Sequence, residues 1–362
     1  VLDMARYGWK TVRPAAWALV VLCLVLQAQG AGRRRKLAPA GVVRLKGSPE
    51  AIGRRHGKLF KYHIRRMLTE YIGGSYAWER DKEELLARVR TMKSSLPDWY
   101  LTELRACAEE VGVKEDILLY AQCEGDIQSL GGCTSFVAFG PATHGGTVEM
   151  GRNFDYWGLE STRECAVVLA VVPSPEDGHA FVSIGWTGIL GGWTFINEKG
   201  VFVSNNLGGG WATDPKGIPT LVMERIIAQK AASVDEAVAL VRGSPRMRGQ
   251  VLIVGQAGDA DKGVPPHAVE LSYDAQMVTV TPAKDGLIFN SSIGADEDAV
   301  RKLLRRRFHR PTSPIHSAGN SITLHSVAIR PTEHKLWVAH GPPSHAHKSK
   351  YVSYDLRRLF RR

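Results

Sequence analysis

Apolar positions along this chain follow two different periods. From Ser48 to about Cys123 they recur every three or four residues, the spacing of amphipathic helices. Ser48-Pro49-Glu50-Ala51 reads as a helix start, with Ser48 as N-cap and Pro49 in the first turn, and that helix is expected to reach about Tyr71. Lys82 to Val111 has helical spacing, and Ile117 to Cys123 adds another turn or two. After Gly132 the pattern becomes short apolar or alternating runs. Strands are expected at Thr134–Phe139, Thr147–Arg152, Glu164–Val172, Ala180–Trp186, Trp193–Asn197 and Val201–Asn205. Two helices interrupt them, Pro219–Lys230 and Val234–Arg242. Ser233 and Glu236 form a capping box for the second. Strands resume at Gln250–Val254, Ala268–Ser272, Met277–Thr281 and Gly286–Phe289. A helix over Ala295–Phe308 precedes final strands at Ser321–Ile329 and Leu336–Ala339. Strands, a helix pair and strands again predict an α+β protein with two packed sheets flanked by helices, preceded by an α-rich segment. Residues 31–46 read as an extended lead-in.

The N-terminus changes this picture. Arg6, Lys10 and Arg13 precede a 12-residue apolar run, Ala15–Leu26, and Ala28-Gln29-Gly30 is a small-residue cleavage pattern. The run is short for a bilayer core of about 30 Å. Residues 1–30 therefore read as a signal peptide, residues 31–132 as the α-rich segment and residues 133–362 as the catalytic segment. The expected location is exported, secreted or periplasmic, with an N-terminal membrane anchor as the alternative. A mean hydropathy of −0.15 excludes a polytopic membrane protein.

The formal charge of +11 is concentrated partly in terminal runs, Arg33–Lys36 and Arg357, Arg358, Arg361 and Arg362. Without interleaved aromatics these do not read as a nucleic-acid surface. A weak contact with anionic membrane surfaces is the most they imply. Of five cysteines, Cys23 falls in the leader, leaving Cys107, Cys123, Cys133 and Cys165 at irregular spacings that suggest no disulfide framework.

Candidate chemistry gathers where the two periods meet. Gly131-Gly132-Cys133-Thr134-Ser135 is followed by Gly151-Arg152-Asn153-Phe154-Asp155-Tyr156. Cleavage before Cys133 would give one residue both a thiol and a free α-amine. That amine, with an ordinary pKa of about 7.7–8, could take the thiol proton near neutral pH. An arginine such as Arg152 favours thiolate, and Asp155 could orient the new ammonium. Amides that end strands, in Ser204-Asn205-Asn206-Leu207 and Leu287-Ile288-Phe289-Asn290-Ser291, are suitable oxyanion donors.

These residues resemble the N-terminal-nucleophile (Ntn) amidohydrolases. That group includes penicillin V acylase, conjugated bile acid hydrolase, acid ceramidase and N-acylethanolamine amidase. Within it the chain is most similar to the acyl-coenzyme A:6-aminopenicillanic acid acyltransferase-like (peptidase C45) branch. Further stretches carry the likeness: Gly47 to Gly57, Gly185-Trp186-Thr187-Gly188, Asn197-Glu198-Lys199-Gly200, His267 to Leu271, Gly286 to Asn290, and Gly341-Pro342-Pro343. The resemblance implies a four-layer αββα sandwich and self-cleavage at Gly132–Cys133 into an α/β heterodimer. It makes Cys133 the nucleophile, has Arg152 and Asp155 shape the site, and makes Asn290 an oxyanion donor. Asn206 is the second donor, and its neighbour Asn205 fits the same role. A further arginine found in some relatives finds no matching motif within Arg301–Arg310. Asn290-Ser291-Ser292 departs from the Asn-His often seen in this branch.

No cofactor is expected. Spacings of His316, His325, His334, His340, His345 and His347 match no standard zinc pattern, so no metal is expected either. Trp157, Trp186, Trp193 and Trp211 are expected in the core or the pocket wall. The reading is an exported hydrolase of a small N-acyl amide acting through an acyl-thioester on Cys133. Acyl transfer to an amine, and a non-catalytic binding protein on the same scaffold, are the alternatives.

Overall fold

The computed structural model describes residues 41–128, 132–156, 160–307, 310–341 and 345–362. The expected leader at 1–30, the basic run at 33–36, Gly131, Trp157, Pro342 and Pro343 lie outside the described residues. The described residues form one compact unit.

Four helices come first: α1 (Pro49–Met67), α2 (Tyr76–Met92), α3 (Asp98–Val111) and α4 (Glu115–Gln128). Helix α1 starts as expected, with Ser48 Oγ accepting from Ala51 N–H at 3.3 Å. It buries Ile52, His56, Phe60, Ile64 and Met67 along one stripe. Its last turn passes into a π-helical turn at Leu68–Ile72, which brings Tyr71 inward. The helical pattern over 82–111 is divided between α2 and α3. Pro97 has no N–H to donate and holds Leu96 extended (φ −86°, ψ 141°), so the second helix must start afresh at Asp98.

Two sheets follow. The larger has eight strands in the order β1-β4-β5-β6-β7-β8-β9-β10, and the smaller has six, β11-β2-β3-β12-β13-β14. Their ranges are β1 Val42–Gly47, β2 Gly132–Gly140, β3 Gly146–Asp155, β4 Ala166–Pro173, β5 Phe181–Trp186, β6 Thr194–Asn197 and β7 Val201–Asn206. After helices α5 (Glu160–Glu164), α6 (Thr220–Lys230) and α7 (Val234–Gly243) come β8 Gln250–Gln256, β9 His267–Tyr273, β10 Val278–Pro282 and β11 Leu287–Ser291. Helices α8 (Glu297–Leu304) and α9 (Ser313–Ser317) precede β12 Thr323–Arg330, β13 Lys335–His340 and β14 Val352–Asp355. The lead-in thus supplies a strand: β1 pairs parallel with β4, whereas all other pairs are antiparallel.

Alternation along β2 and β3 explains the layering. Val137, Val148 and Met150 face the larger sheet and pack with Val182, Ile184, Phe202 and Ile253. On the opposite face Phe136 and Ala138 meet Val300 and Leu304 of α8 and Ile315 of α9. Helix α6 covers strands β6 and β7 of the larger sheet. The layers are therefore helix, sheet, sheet, helix, the α+β arrangement the sequence predicts.

Cross-strand packing also accounts for one glycine of the Gly-Arg-Asn-x-Asp segment. Gly151 sits opposite Phe136, and a Cβ there would lie 2.2 Å from the Phe136 ring. Gly151→Ala is expected to destabilise the protein by about 1–3 kcal/mol through overpacking. Phe136→Leu should relieve part of that cost, as paired urea titrations of the single and double variants would show.

Candidate active site

The chemistry-bearing residues converge at one end of the inter-sheet layer. Cys133 is the second residue of β2 and pairs with Phe154, while Ser135 pairs with Arg152. Strand alternation therefore sends Cys133, Ser135, Arg152 and Phe154 to the same side, facing the larger sheet. Cys133 is buried and lines a cavity together with Phe154, Tyr156, Trp186, Trp193 and Asn205. From the helical segment the cavity takes Tyr71, Glu124 and Asp126, and from beyond β7 Leu207, Thr220, Leu221, Arg248 and Gln250.

Arg152 is fully buried beside Cys133, and Arg248 is a second cation in the cavity lining. Its Nη1 donates to Ser135 Oγ at 3.1 Å, to Asn206 Oδ1 at 2.7 Å and to the Asn205 carbonyl, and its Nη2 donates to Asn205 Oδ1 at 3.1 Å. Asp155 points to the other face of β3. There its Oδ1 accepts from Thr323 Oγ1 at 2.5 Å, and the Asn320 side chain also approaches the carboxyl. Burial raises the Asp155 carboxyl to about 6, against the hydrogen bond from Thr323 and the charge of Arg152. Burial also pushes the Cys133 thiol up to about 11. Arg152 pulls it down, the Asp155 charge pushes it up, and a hydrogen bond from the Asp155 main chain favours the thiolate.

The three asparagines separate. Asn205 lines the cavity with Cys133; its Oδ1 accepts from Arg152, which leaves Nδ2 as its donor atom. Asn206 points away. Its Nδ2 donates to Asn290 Oδ1 at 2.7 Å and to the Asn290 carbonyl at 2.9 Å. Asn290 Nδ2 donates in turn to Glu270 Oε2 at 2.9 Å. Asn206 and Asn290 therefore form a bonded bridge between the two sheets, beside the cavity.

Several site residues carry no signal in the sequence. Tyr71 donates to Glu124 Oε2 at 2.6 Å, and its hydroxyl is 2.7 Å from that of Tyr156. Asp126 accepts from the Thr220 N–H and hydroxyl at the start of α6. These contacts join residues 53 to 94 positions apart, and no local spacing announces them. The tryptophan expectation is met in part. Trp186 and Trp193 stand 4.7 Å apart in the cavity wall, whereas Trp211 is 96% exposed on the loop after β7. His325 lies behind the wall, stacked on Phe154 and bonded to Thr194 Oγ1. Cys107, Cys123, Cys133 and Cys165 are all free thiols.

Glu224 of α6 is a further buried carboxyl, with neither oxygen hydrogen-bonded. Burial raises it well above the ordinary range, while the charge of Arg152 opposes that shift. The folded state therefore keeps a proton that the unfolded chain loses above about pH 4.3. Stability should fall as pH rises from there, by up to about 1.4 kcal/mol per pH unit, until the folded group ionises. Glu224→Gln removes that titration. Its stability relative to the parent should rise between pH 5 and 7, measured by urea unfolding at several pH values in a Cys133→Ala background.

Fold and site thus define a two-sheet α+β protein with a buried cysteine at the head of a central strand and a buried arginine beside it. Residues 142–262 match the family model described as acyl-coenzyme A:6-aminopenicillanic acid acyl-transferase, in line with the resemblance read from the sequence. An uncharacterized protein of Archaeoglobus fulgidus is 26% identical over 254 residues, 61% of this chain and 42% of that protein. The chain thus spans about two-fifths of that relative's length. Among solved structures, a Caenorhabditis elegans N-acylethanolamine-hydrolyzing acid amidase ortholog is similar with a TM-score of 0.42 and 18% identity, over 62% of this chain and all of that one. Penicillin V acylase from Agrobacterium tumefaciens gives 0.41 and 12%, over 62% and 86%. A variant of conjugated bile acid hydrolase from Clostridium perfringens gives 0.41 and 9%, over 62% and 93%.

Proposed function

We propose that this chain is the precursor of a self-processing amide hydrolase with Cys133 as nucleophile. The observation that carries this reading is the setting of Cys133: a thiol at the head of β2, opening on a cavity, with Arg152 beside it and Asp155 bonded to it through the main chain. Cleavage of Gly132–Cys133 frees an α-amine at the thiol. The amine accepts the thiol proton, Sγ attacks the carbonyl carbon of a bound N-acyl amide, and the amine product leaves with that proton. Water then resolves the acyl-thioester. Arg152 favours the thiolate, and Asp155 orients the ammonium. Asn205, with its amide Nδ2 unspent, is the donor best placed for the oxyanion. Asn206 and Asn290 keep the two sheets in register around it and become donors if their mutual bond opens on cleavage. Two products of cleavage, 31–132 and 133–362, stay together as a heterodimer, since the described elements on both sides of Gly132–Cys133 pack in one compact unit. Export rests on the Ala15–Leu26 apolar run.

The aromatic wall of Phe154, Tyr156, Trp186 and Trp193 suits an apolar or aromatic acyl group. A second reading, acyl transfer to an amine, is favoured by the acyl-transferase description of the family model matched over 142–262. Both are tested by incubating processed protein with a panel of N-acyl amides. An acyl mass added to the Cys133 fragment and lost on hydroxylamine treatment is the expected result. Release of free acid marks hydrolysis, and a new amide on adding a primary amine marks transfer. Absence of any adduct across the panel would leave the scaffold as a binding protein.

A further inference from the structure

The scissile nitrogen has an unusual partner. In the β2–β11 ladder Thr134 faces Ser291, which sets Ser292 opposite Cys133. Ser292 N–H donates to the Cys133 carbonyl at 3.0 Å, as a ladder requires. The return bond does not go to the Ser292 carbonyl. Cys133 N–H donates instead to Ser292 Oγ at 2.9 Å, and the same hydroxyl lies 3.3 Å from the Cys133 carbonyl, to which it donates. This difference matters chemically, because a carbonyl can only accept, whereas a hydroxyl both accepts and donates.

The turn that carries the hydroxyl is pinned at Ser291, while Ser292 itself is exposed. Ser291 Oγ is 2.9 Å from Thr134 Oγ1 and accepts from Ala295 N–H at 2.9 Å, which fixes the turn after β11. Ile293 lies over Gly132, where a Cβ would come within 2.2 Å of its Cγ2. The turn Ser291–Ile293 thus covers both residues of the Gly132–Cys133 bond and places one hydroxyl on its nitrogen.

We propose that Ser292 Oγ carries the proton to the scissile nitrogen during self-cleavage and then holds the α-amine of Cys133 in the processed enzyme. The assignment rests on the self-processing reading above. The steps balance without a further reagent. Cys133 Sγ bonds to the Gly132 carbonyl carbon and gives up its proton. As the tetrahedral centre forms, the nitrogen lone pair develops and the N–H···Oγ hydrogen bond reverses. Ser292 Oγ–H protonates the nitrogen, the carbon–nitrogen bond breaks with its electron pair on nitrogen, and Oγ recovers the proton that Sγ released. Amide and thiol become thioester and amine, with one proton moved from sulfur to nitrogen. Water then hydrolyses the thioester to the Gly132 carboxylate.

The test uses the full chain and a pair of equal-sized substitutions, Ser292→Thr with the hydroxyl and Ser292→Val without it. The rate of appearance of a fragment beginning at Cys133 is followed by intact mass. Positioned proton transfer contributes about 10²–10⁴-fold. Ser292→Thr should therefore process at least a hundredfold faster than Ser292→Val, with melting temperatures alike. Hydroxylamine, which captures a thioester, should not restore the Val variant, since the defect precedes thioester accumulation. Equal rates for the pair, or full rescue of Val by hydroxylamine, overturn the assignment while wild type still cleaves. A wild-type chain that stays intact overturns the self-processing reading itself, and this assignment with it.

Discussion

Cys133→Ala is expected to leave the chain in one piece, while the unsubstituted chain yields a fragment that begins at Cys133. That fragment would hold about 230 residues (362 − 133 + 1). The size of the effect follows from the chemistry. Without the thiol residue 133 has no side-chain nucleophile for the Gly132 carbonyl, and without cleavage no α-amine forms at that residue. Both maturation and turnover should therefore fall to background. The side chain itself is small and buried, so the alanine variant should fold. This separates loss of chemistry from loss of structure. N-terminal sequencing and intact mass on the two proteins, purified in parallel, decide the matter. A fragment starting at Cys133 is the expected outcome for the parent. An intact parent chain would end the self-processing reading.

The second large effect is expected at Arg152. Its guanidinium is fully buried, and its two terminal nitrogens serve Ser135 Oγ, both oxygens of Asn205 and Asn206 Oδ1. Arg152→Met removes the donors and leaves acceptors in a space closed to water. It also removes the charge that opposes the raised carboxyl of Glu224 and lowers the Cys133 thiol. Unpaired buried acceptors cost about 1–3 kcal/mol each. Arg152→Met should accordingly lose about 3–5 kcal/mol, as for a broken buried charge network. Urea unfolding in a Cys133→Ala background gives that number free of processing. Arg152→Lys should fall between the two, because a single ammonium cannot span the fork that Asn205 and Asn206 form around the guanidinium. In the active background both variants should slow processing more than they destabilise, since the thiol loses the positive charge that favours its ionised form. A loss below about 1 kcal/mol for the Met variant would mean that water or a neighbour replaces the guanidinium.

Much of the architecture was legible along the chain, and the reasons are local. Ser48-Pro49 starts α1, Ser233 with Glu236 starts α7, and alternation marks β2, β3 and β7. Where the reading was incomplete the cause was equally physical. Pro97 interrupts a helical pattern that composition alone carries through. The last helix of the expected set ends at Leu304 rather than near Phe308. Strand β14, Val352–Asp355, is short and half-buried, so its pattern does not stand out from the surrounding polar residues.

The site divides along the same line. The residue types at the junction of helical and strand periods can be read along the chain: a glycine-preceded thiol at Cys133, then Arg152 and Asp155 on one later strand. They are legible because thiol, guanidinium and carboxylate follow one another within a single hairpin, where register is local. Which asparagine meets the cavity emerges only on folding: both amide oxygens accept from Arg152, but Asn206 Nδ2 is taken up by Asn290 across the sheets while Asn205 lines the cavity. Folding likewise brings Tyr71, Glu124 and Asp126 to the cavity from two helical stretches, and sets Ser292 Oγ on the Cys133 nitrogen from 159 residues away. Such contacts arise from stacking two sheets and packing helices on them, and stacking carries no period that one strand or one helix can display.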